Sequence, residues 1–464
     1  MFRAFGSCAL LLTIMISEVA SAQFKLPVMT ETTLDNGLRV IFIEQHEVPL
    51  IAVAVAVRAG SVNDGKAWGL ASMATAGVDL GTKAYSKKQI EEIEDQNAFQ
   101  ISTTLGKEYL TISAEAAAED APTLMKLLGE LVKNPVYPAK EFDKLRDRVV
   151  SQSRKSKESP NQIATDVFER VYYGAHPYAS PENGVAETLS KITAANVQAF
   201  HKSYFQPQIA SIAIAGDFDS KAMKDLIGKE FADWKKGSAQ ATKIESIAEG
   251  PKEAEVILID KPDARETTFR IGGKGPVSFN PVYPKLSVVN TILGGRFTSL
   301  LNDALRVKSG YTYGARSGFG QQRSSGTFVM STFTANETTF KTLDLALETY
   351  RKFLTQGVDQ KTLDSAKSYV KGQYPPQYET LDGLTSLATS LFVFEKDIET
   401  FNKFESEVDA LTLAEANELV KTYLPKEPLT ILMIGKASEI AGQAKTYGRF
   451  RQLPIGRVDS AAAL

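Results

Sequence analysis

Two pairs of segments in this chain repeat each other, and that repeat limits the fold to one architecture used twice. Residues 110–132 (LTISAEAAAEDAPTLMKLLGELV) and 328–350 (FVMSTFTANETTFKTLDLALETY) share a strand-then-helix pattern 218 residues apart. Residues 192–216 and 411–435, each a helix followed by a strand ending in Gly, match at an offset of 219. Self-similarity at a constant long offset marks duplicated units, so the elements read in one copy serve for the other. In the first copy, Asp35-Asn36-Gly37 turns the chain between apolar runs that read as paired strands over 40–43 and 50–57. Ser86 with Gln89 three positions on forms a capping box, and residues 100–105 and 109–114 form a hairpin across Gly106-Lys107. Helix-period apolar positions follow over 121–132 and 140–155. The expected fold class is α+β: two homologous domains, 23–234 and 254–457, each an antiparallel sheet with helices packed on one face. Residues 235–253 lack an apolar period and read as a linker, and 458–464 as a flexible tail.

The 464 residues carry 53 Lys+Arg against 55 Asp+Glu, a net charge of -2, with 43% hydrophobic content. A near-neutral chain without a basic block has no field for phosphates, so nucleic acid is excluded as a partner and specificity must sit in local sites. Residues 1–22 read as an export signal: Arg3 supplies the positive start, residues 9–16 (ALLLTIMI) the apolar run, and Ala20-Ser21-Ala22 the cleavage site before Gln23. That run is too short to span a bilayer, and no later one is long enough. The single cysteine, Cys8, lies inside the signal, so the mature chain has neither disulfide nor thiolate chemistry. The expected address is the periplasm, with secretion beyond it as the other destination.

The three histidines stand in unrelated contexts: His46 in a polar turn, His176 in a Gly/Pro loop, His201 on a helix beside Tyr204. With no i, i+4 pair and no grouped carboxylate, they read as non-ligating. A nucleophile elbow, a phosphate loop and a dinucleotide fingerprint are all missing, and the glycine pairs Gly272-Gly273 and Gly294-Gly295 read as turns. Four stretches in fixed order do carry a signal: AVAVRAGSVNDGKAWGLASMATAG (54–77), NPVYPAKEFDKLRDRVV (134–150), HPYASPENG (176–184) and LGGRFTSLLNDALRVKSGYTYGA (293–315). Together with the duplicated domain, they make the chain resemble the insulinase/pitrilysin (inverzincin) metallopeptidases. It is similar in particular to their two-domain subunits of the mitochondrial processing peptidase kind.

Members of that family carry an inverted zinc motif, H-x-x-E-H, after the Gly-Leu-Ala stretch. Here Gly69-Leu70-Ala71 is followed by Ser72, Met73, Ala74, Thr75 and Ala76, so Ser72, Thr75 and Ala76 stand at the motif positions. The family's third ligand, a Glu, falls near Gln152. Hydroxyl, methyl and amide groups are poor zinc ligands, so this chain is expected to bind no metal or other cofactor of its own. Arg306 and Tyr313 match the family's C-terminal Arg and Tyr pair, placed by the resemblance opposite the zinc. From the residues alone, Arg306 ends an apolar helix (Phe297, Leu300, Leu301, Leu305), Gly310 allows a tight exit, and Tyr313 begins a strand with Tyr311 on the same face. Guanidinium and phenol both donate hydrogen bonds, which suits a peptide carbonyl or its oxyanion; Tyr311 is the alternative phenol. The resemblance thus implies the non-zinc subunit of a heterodimeric metallopeptidase. Arg306, Tyr313 and Tyr311 would bind peptide, while a homologous H-x-x-E-H-bearing partner would supply zinc and the Glu base. The rival expectation is a catalytically inactive peptide-binding or structural subunit.

Overall fold

The computed structural model describes residues 24–247, 253–278, 280–320 and 322–460. The expected export signal and its cleavage site lie outside the described residues. In the N-terminal half the strands are β1 (Thr30–Thr33), β2 (Arg39–Glu44), β3 (Leu50–Val57), β4 (Ser102–Leu105), β5 (Leu110–Ala117) and β6 (Ala210–Gly216). The C-terminal half holds β7 (Glu255–Asp260), β8 (Glu266–Gly275), β9 (Ala315–Gly320), β10 (Gly326–Ala335), β11 (Thr430–Gly435) and β12 (Arg449–Pro454). The two six-stranded sheets run β1-β2-β6-β3-β5-β4 and β12-β7-β11-β8-β10-β9. From the second position on, the orders are the same, as the sequence repeat requires. Both sheets are mainly antiparallel but mixed: β2 lies parallel to β6, and β7 is parallel to both β11 and β12. The outermost strand differs between halves because β1 comes from the chain's start and β12 from near its end.

One face of each sheet is covered by helices of its own half. Leu124, Leu128 and Leu131 of the helix Ala121–Lys133 pack over Val53, Val55 and Ile112, and Leu343, Leu347 and Tyr350 of Thr339–Gln356 belong to the matching C-terminal core. The other face is covered by one helix borrowed from the opposite half. Pro160–Tyr173 lays Ile163, Ala164, Val167 and Phe168 on Ile257, Ile259, Leu432 and Ile434 of β7 and β11. Reciprocally, Leu381–Phe394 lays Leu384, Ala388, Phe392 and Val393 on Ile41, Ile43, Ala213 and Ala215 of β2 and β6. Strands buried on both faces need unbroken apolar runs, which is why LIAVAVAV and TILMIG show no polar alternation. A fully buried aliphatic or aromatic side chain contributes roughly 1.5–3 kcal/mol, so each exchanged helix is a strong tie between the halves.

Polar bonds reinforce the exchange. Arg58, at the end of β3, donates to Glu395 Oε1 at 2.7 Å and to the carbonyl of Phe392, and its guanidinium lies 4.2 Å from the centre of the Phe392 ring. A cation at a helix C-terminus satisfies carbonyls that the helix itself leaves open. Glu108 pairs with Arg323 at 3.2 Å and accepts from the Tyr178 hydroxyl. The segment expected to be a loose tail is anchored over 458–460: Val458 is buried, Arg170 donates to the carbonyls of Val458 and Ser460, and Lys157 pairs with Asp459 at 2.5 Å. The described part of the 235–253 segment runs along the surface, held by Gln208 to Gly237 and Ala239 and by Ser324 to Ile244.

Candidate functional site

The helix Leu70–Ala76 holds three of the expected metal-site positions, and its scaffold is built from buried groups that carried no mark in the sequence. Asp64 accepts from the backbone N–H of Gly69 and of Ala71, each at 2.7 Å, which caps the helix start. Burial pushes its carboxyl up to about 7 against the pull of those N–H groups. At the other end the fully buried Tyr137 hydroxyl donates to the Ala74 carbonyl at 2.9 Å. The ligand positions themselves offer no metal set. Thr75 is buried and spends its hydroxyl on the Ala71 carbonyl at 2.8 Å, Ala76 has only a methyl group, and Gln152 is an exposed amide on the helix Ala139–Lys155. Ser72 is the one remaining hydroxyl. These donors do not fit zinc. Among the described residues, no group of three or more His, Cys, Asp and Glu side chains could hold a metal ion.

The histidines lie apart, each in its own hydrogen-bond setting. His46 bridges Asp217 at 2.6 Å and Glu44 at 3.0 Å on the surface, and these bonds raise its pKa above the usual histidine value. His176 Nε2 meets the Glu245 carbonyl, and His201 Nε2 meets that of Val132. Burial holds His201 down at about 4, so it stays neutral at ordinary pH.

Arg306 and Tyr313 line one cleft of about 380 Å³ in the C-terminal half, and Tyr311 is not among its lining residues. Two departures from the expected local structure create it. First, the helix begins only at Leu300, and a π-helical turn, Asp303–Lys308, follows its first turn. Leu301 and Leu305 enter the core, whereas Phe297 is 62% exposed and Leu300 also faces outward. The wider turn carries Arg306 to the surface, consistent with the placing of π-turns at functional sites. Second, Tyr313 does not begin a strand. The Thr312 hydroxyl accepts from Gly314 N at 3.1 Å and donates to Gly314 O at 3.0 Å, a local turn that delays β9 to Ala315. Tyr313 is left 80% exposed, with its ring stacked at 6.5 Å on Phe333. Tyr311 instead has its carbonyl tied to the Thr334 hydroxyl at 2.7 Å, away from any shared strand face with Tyr313.

The rest of the cleft was not anticipated. Gly294 and Gly295, expected to be a simple turn, end a second π-helical turn, Thr291–Gly295, that forms its wall. A Cβ on Gly294 would stand 2.3 Å from Ser317 N of β9, so only glycine lets the two segments close. Arg296, Phe297, Asn302, Arg316 and Tyr369 also line it, with the start of β9. The run Gly-Gly-Arg-Phe was the one available signal, because glycine pairs mark close backbone approach.

The sequence matches the description "Insulinase (Peptidase family M16)" over residues 39–184 and "Peptidase M16 inactive domain" over residues 191–370, together well over half of the chain. It is similar to the uncharacterized zinc protease YmxG of Bacillus subtilis, 23% identical over 84% of this chain and 94% of that protein. It is likewise similar to the non-peptidase homolog YmxG of Helicobacter pylori, 21% identical over 85% of this chain and 91% of that one. The crystal structure of a peptidase M16 inactive domain from Pseudomonas fluorescens superposes with a TM-score of 0.83 at 25% identity, covering 88% of this chain and 98% of that chain. With two six-stranded sheets of like order and a sequence match in both halves, this chain belongs to the insulinase, or M16, family of peptidases.

Proposed function

We propose that this chain is a metal-free member of its family that binds peptides and does not hydrolyse them alone. One observation carries the reading: the positions that should ligate zinc hold Ser72, Thr75, Ala76 and Gln152, while a cleft with Arg306 and Tyr313 stands open to solvent. The similarity to a relative described as a non-peptidase homolog supports it. Arg306 supplies a guanidinium fork and Tyr313 a phenol, both donors for a peptide carbonyl. We place the protein in the periplasm, released from an export signal over 1–22, with domains over 23–234 and 254–457 joined by 235–253.

A second reading is favoured by the surface around the cleft. Of the seven large hydrophobic side chains exposed among the described residues, three line it, Phe297, Tyr313 and Tyr369, and two more, Leu300 and Val307, lie on the Leu300–Lys308 segment that carries Arg306. Apolar side chains gathered at a cleft rim suit a docking surface. In this reading a homologous subunit carrying H-x-x-E-H docks there and brings the metal chemistry, while Arg306 and Tyr313 grip the substrate carbonyl as charge develops on it.

The test has two stages. Purified alone, the chain should contain no stoichiometric zinc and cleave no peptide, and one tightly bound zinc per chain would overturn the proposal. Mixed with a zinc-bearing homologue from the same cell, turnover that drops on the order of 10²–10³ with Tyr313→Phe, at unchanged assembly, establishes the second reading. Equal turnover with and without this chain leaves the non-catalytic reading standing.

A further inference from the structure

The cleft that holds Arg306 and Tyr313 is unusual in its charge. Three arginines line it, Arg296, Arg306 and Arg316, and among the described residues no aspartate or glutamate does. None of the three takes part in any of the ion pairs found among the described residues. The nearest acid in sequence, Asp303, is already held by Lys308 at 2.6 Å. A chain of net charge -2 gives no general reason for such a cluster, so the positive field is local.

The guanidiniums are also held in place without being neutralised. Arg306 Cζ lies 4.7 Å from the Phe297 ring centre, and Arg296 Cζ 5.9 Å from that of Tyr369. Aromatic faces attract a cation but leave its N–H groups free. Arg296 donates through Nη1 to the Ser365 carbonyl at 3.2 Å and hydroxyl at 3.0 Å, while its Nε is buried with no hydrogen-bond partner. Arg306 and Arg316 are exposed, and among the described residues no hydrogen bond engages either guanidinium, so each leaves a fork whose spacing matches two carboxylate oxygens.

We propose that this cleft selects peptides bearing a carboxylate, with Arg296 and Arg316 as the specificity-determining groups beside Arg306. The inference rests on the reading that the Arg306–Tyr313 cleft binds peptide. It adds which peptides: those that place a Glu or Asp side chain, or a free C-terminal carboxylate, next to the gripped carbonyl. An amide isostere keeps the shape and loses the charge, so it binds less well.

Four fluorescent decapeptides of one sequence test this on the purified full chain by anisotropy: an internal Glu or Gln, each with a free or amidated C-terminus. At low ionic strength the preferred carboxylate should tighten binding roughly tenfold over its amide, and the ratio should shrink as salt is raised. Arg296→Gln and Arg316→Gln should each lower that ratio. The salt series on the unmodified chain tests the selectivity even if a variant misfolds. A ratio that follows the internal Glu identifies a side-chain carboxylate; one that follows amidation identifies the chain terminus. Equal binding of all four overturns the carboxylate selectivity and leaves peptide binding intact. Binding of none overturns both.

Discussion

Replacing Phe392 by Ala tests the helix exchange in its sharpest form, because the residue belongs to the C-terminal half of the sequence and packs on the N-terminal sheet. Phe392 is 2% exposed, sits among Ile41, Ile43, Ala213 and Ala215, and presents its ring to Arg58 at 4.2 Å and Arg39 at 5.5 Å. Truncating a buried Phe costs about 3–5 kcal/mol through lost transfer energy and the cavity left behind. Losing the ring face under two guanidiniums adds roughly 0.5–1 kcal/mol. The bonds from Arg58 to Glu395 and to the residue-392 carbonyl survive, so the loss should fall at about 4–5 kcal/mol. Both tryptophans, Trp68 and Trp234, lie in the N-terminal half, so their fluorescence reports on that half alone. In urea, the Trp-monitored midpoint of Phe392→Ala should drop by on the order of 1 M. An unmoved Trp midpoint, with a far-UV circular dichroism transition that shifts by itself, would show that Leu381–Phe394 stabilises only its own half and refute the exchange as an energetic tie.

Two further perturbations bear on the cleft and on the buried charges. Gly294→Ala forces a methyl group against Ser317 N at 2.3 Å, so it should cost about 1–3 kcal/mol in urea denaturation and weaken peptide binding beyond what equally destabilising core changes do. Glu182 is pushed from an ordinary 4.5 to about 7 by burial, with Glu169 and Asp166 adding to the rise. With the folded value above the unfolded one, the native state holds an extra proton between about pH 4.5 and 7, and its contribution is complete below that window and lost as pH rises through 7. Glu182→Gln should therefore raise the melting temperature at pH 8 and leave it nearly unchanged at pH 4; a gain of the same size at both would show that the carboxyl titrates normally.

The repeat made the two sheets legible, since residues 110–132 and 328–350 turned out to hold β5 and β10 at equivalent places in sheets of like order. Caps and turns read from local chemistry also held: Ser86 accepts from Gln89 N, and Gly106 N bonds Tyr109 O across the hairpin. What escaped was long-range or shared between side chain and backbone. An amphipathic helix shows in its sequence that it has an apolar face, never which sheet that face meets, so the crossing of Pro160–Tyr173 to β7 and β11 carried no signature. The exposure of Tyr313 depends on whether the Thr312 hydroxyl bonds Gly314 or joins a strand, a choice of about 1 kcal/mol that period counting does not resolve. The arginines of the cleft were visible only as letters, because residues 296, 306 and 316, though ten apart, lie in different elements and meet through two π-helical turns.

The way the helix Leu70–Ala76 is held separates its fold from the side chains it displays. Asp64 grips it through the N–H groups of Gly69 and Ala71, and Tyr137 through the carbonyl of Ala74; both partners are backbone, indifferent to the side chains at 72, 75 and 76. The side chains at 72, 75 and 76 therefore take no part in these anchors, and a change confined to them leaves both ends of the helix held. Main-chain anchors fix where this helix lies, and the anchors never touch the side chains that decide what it could ligate.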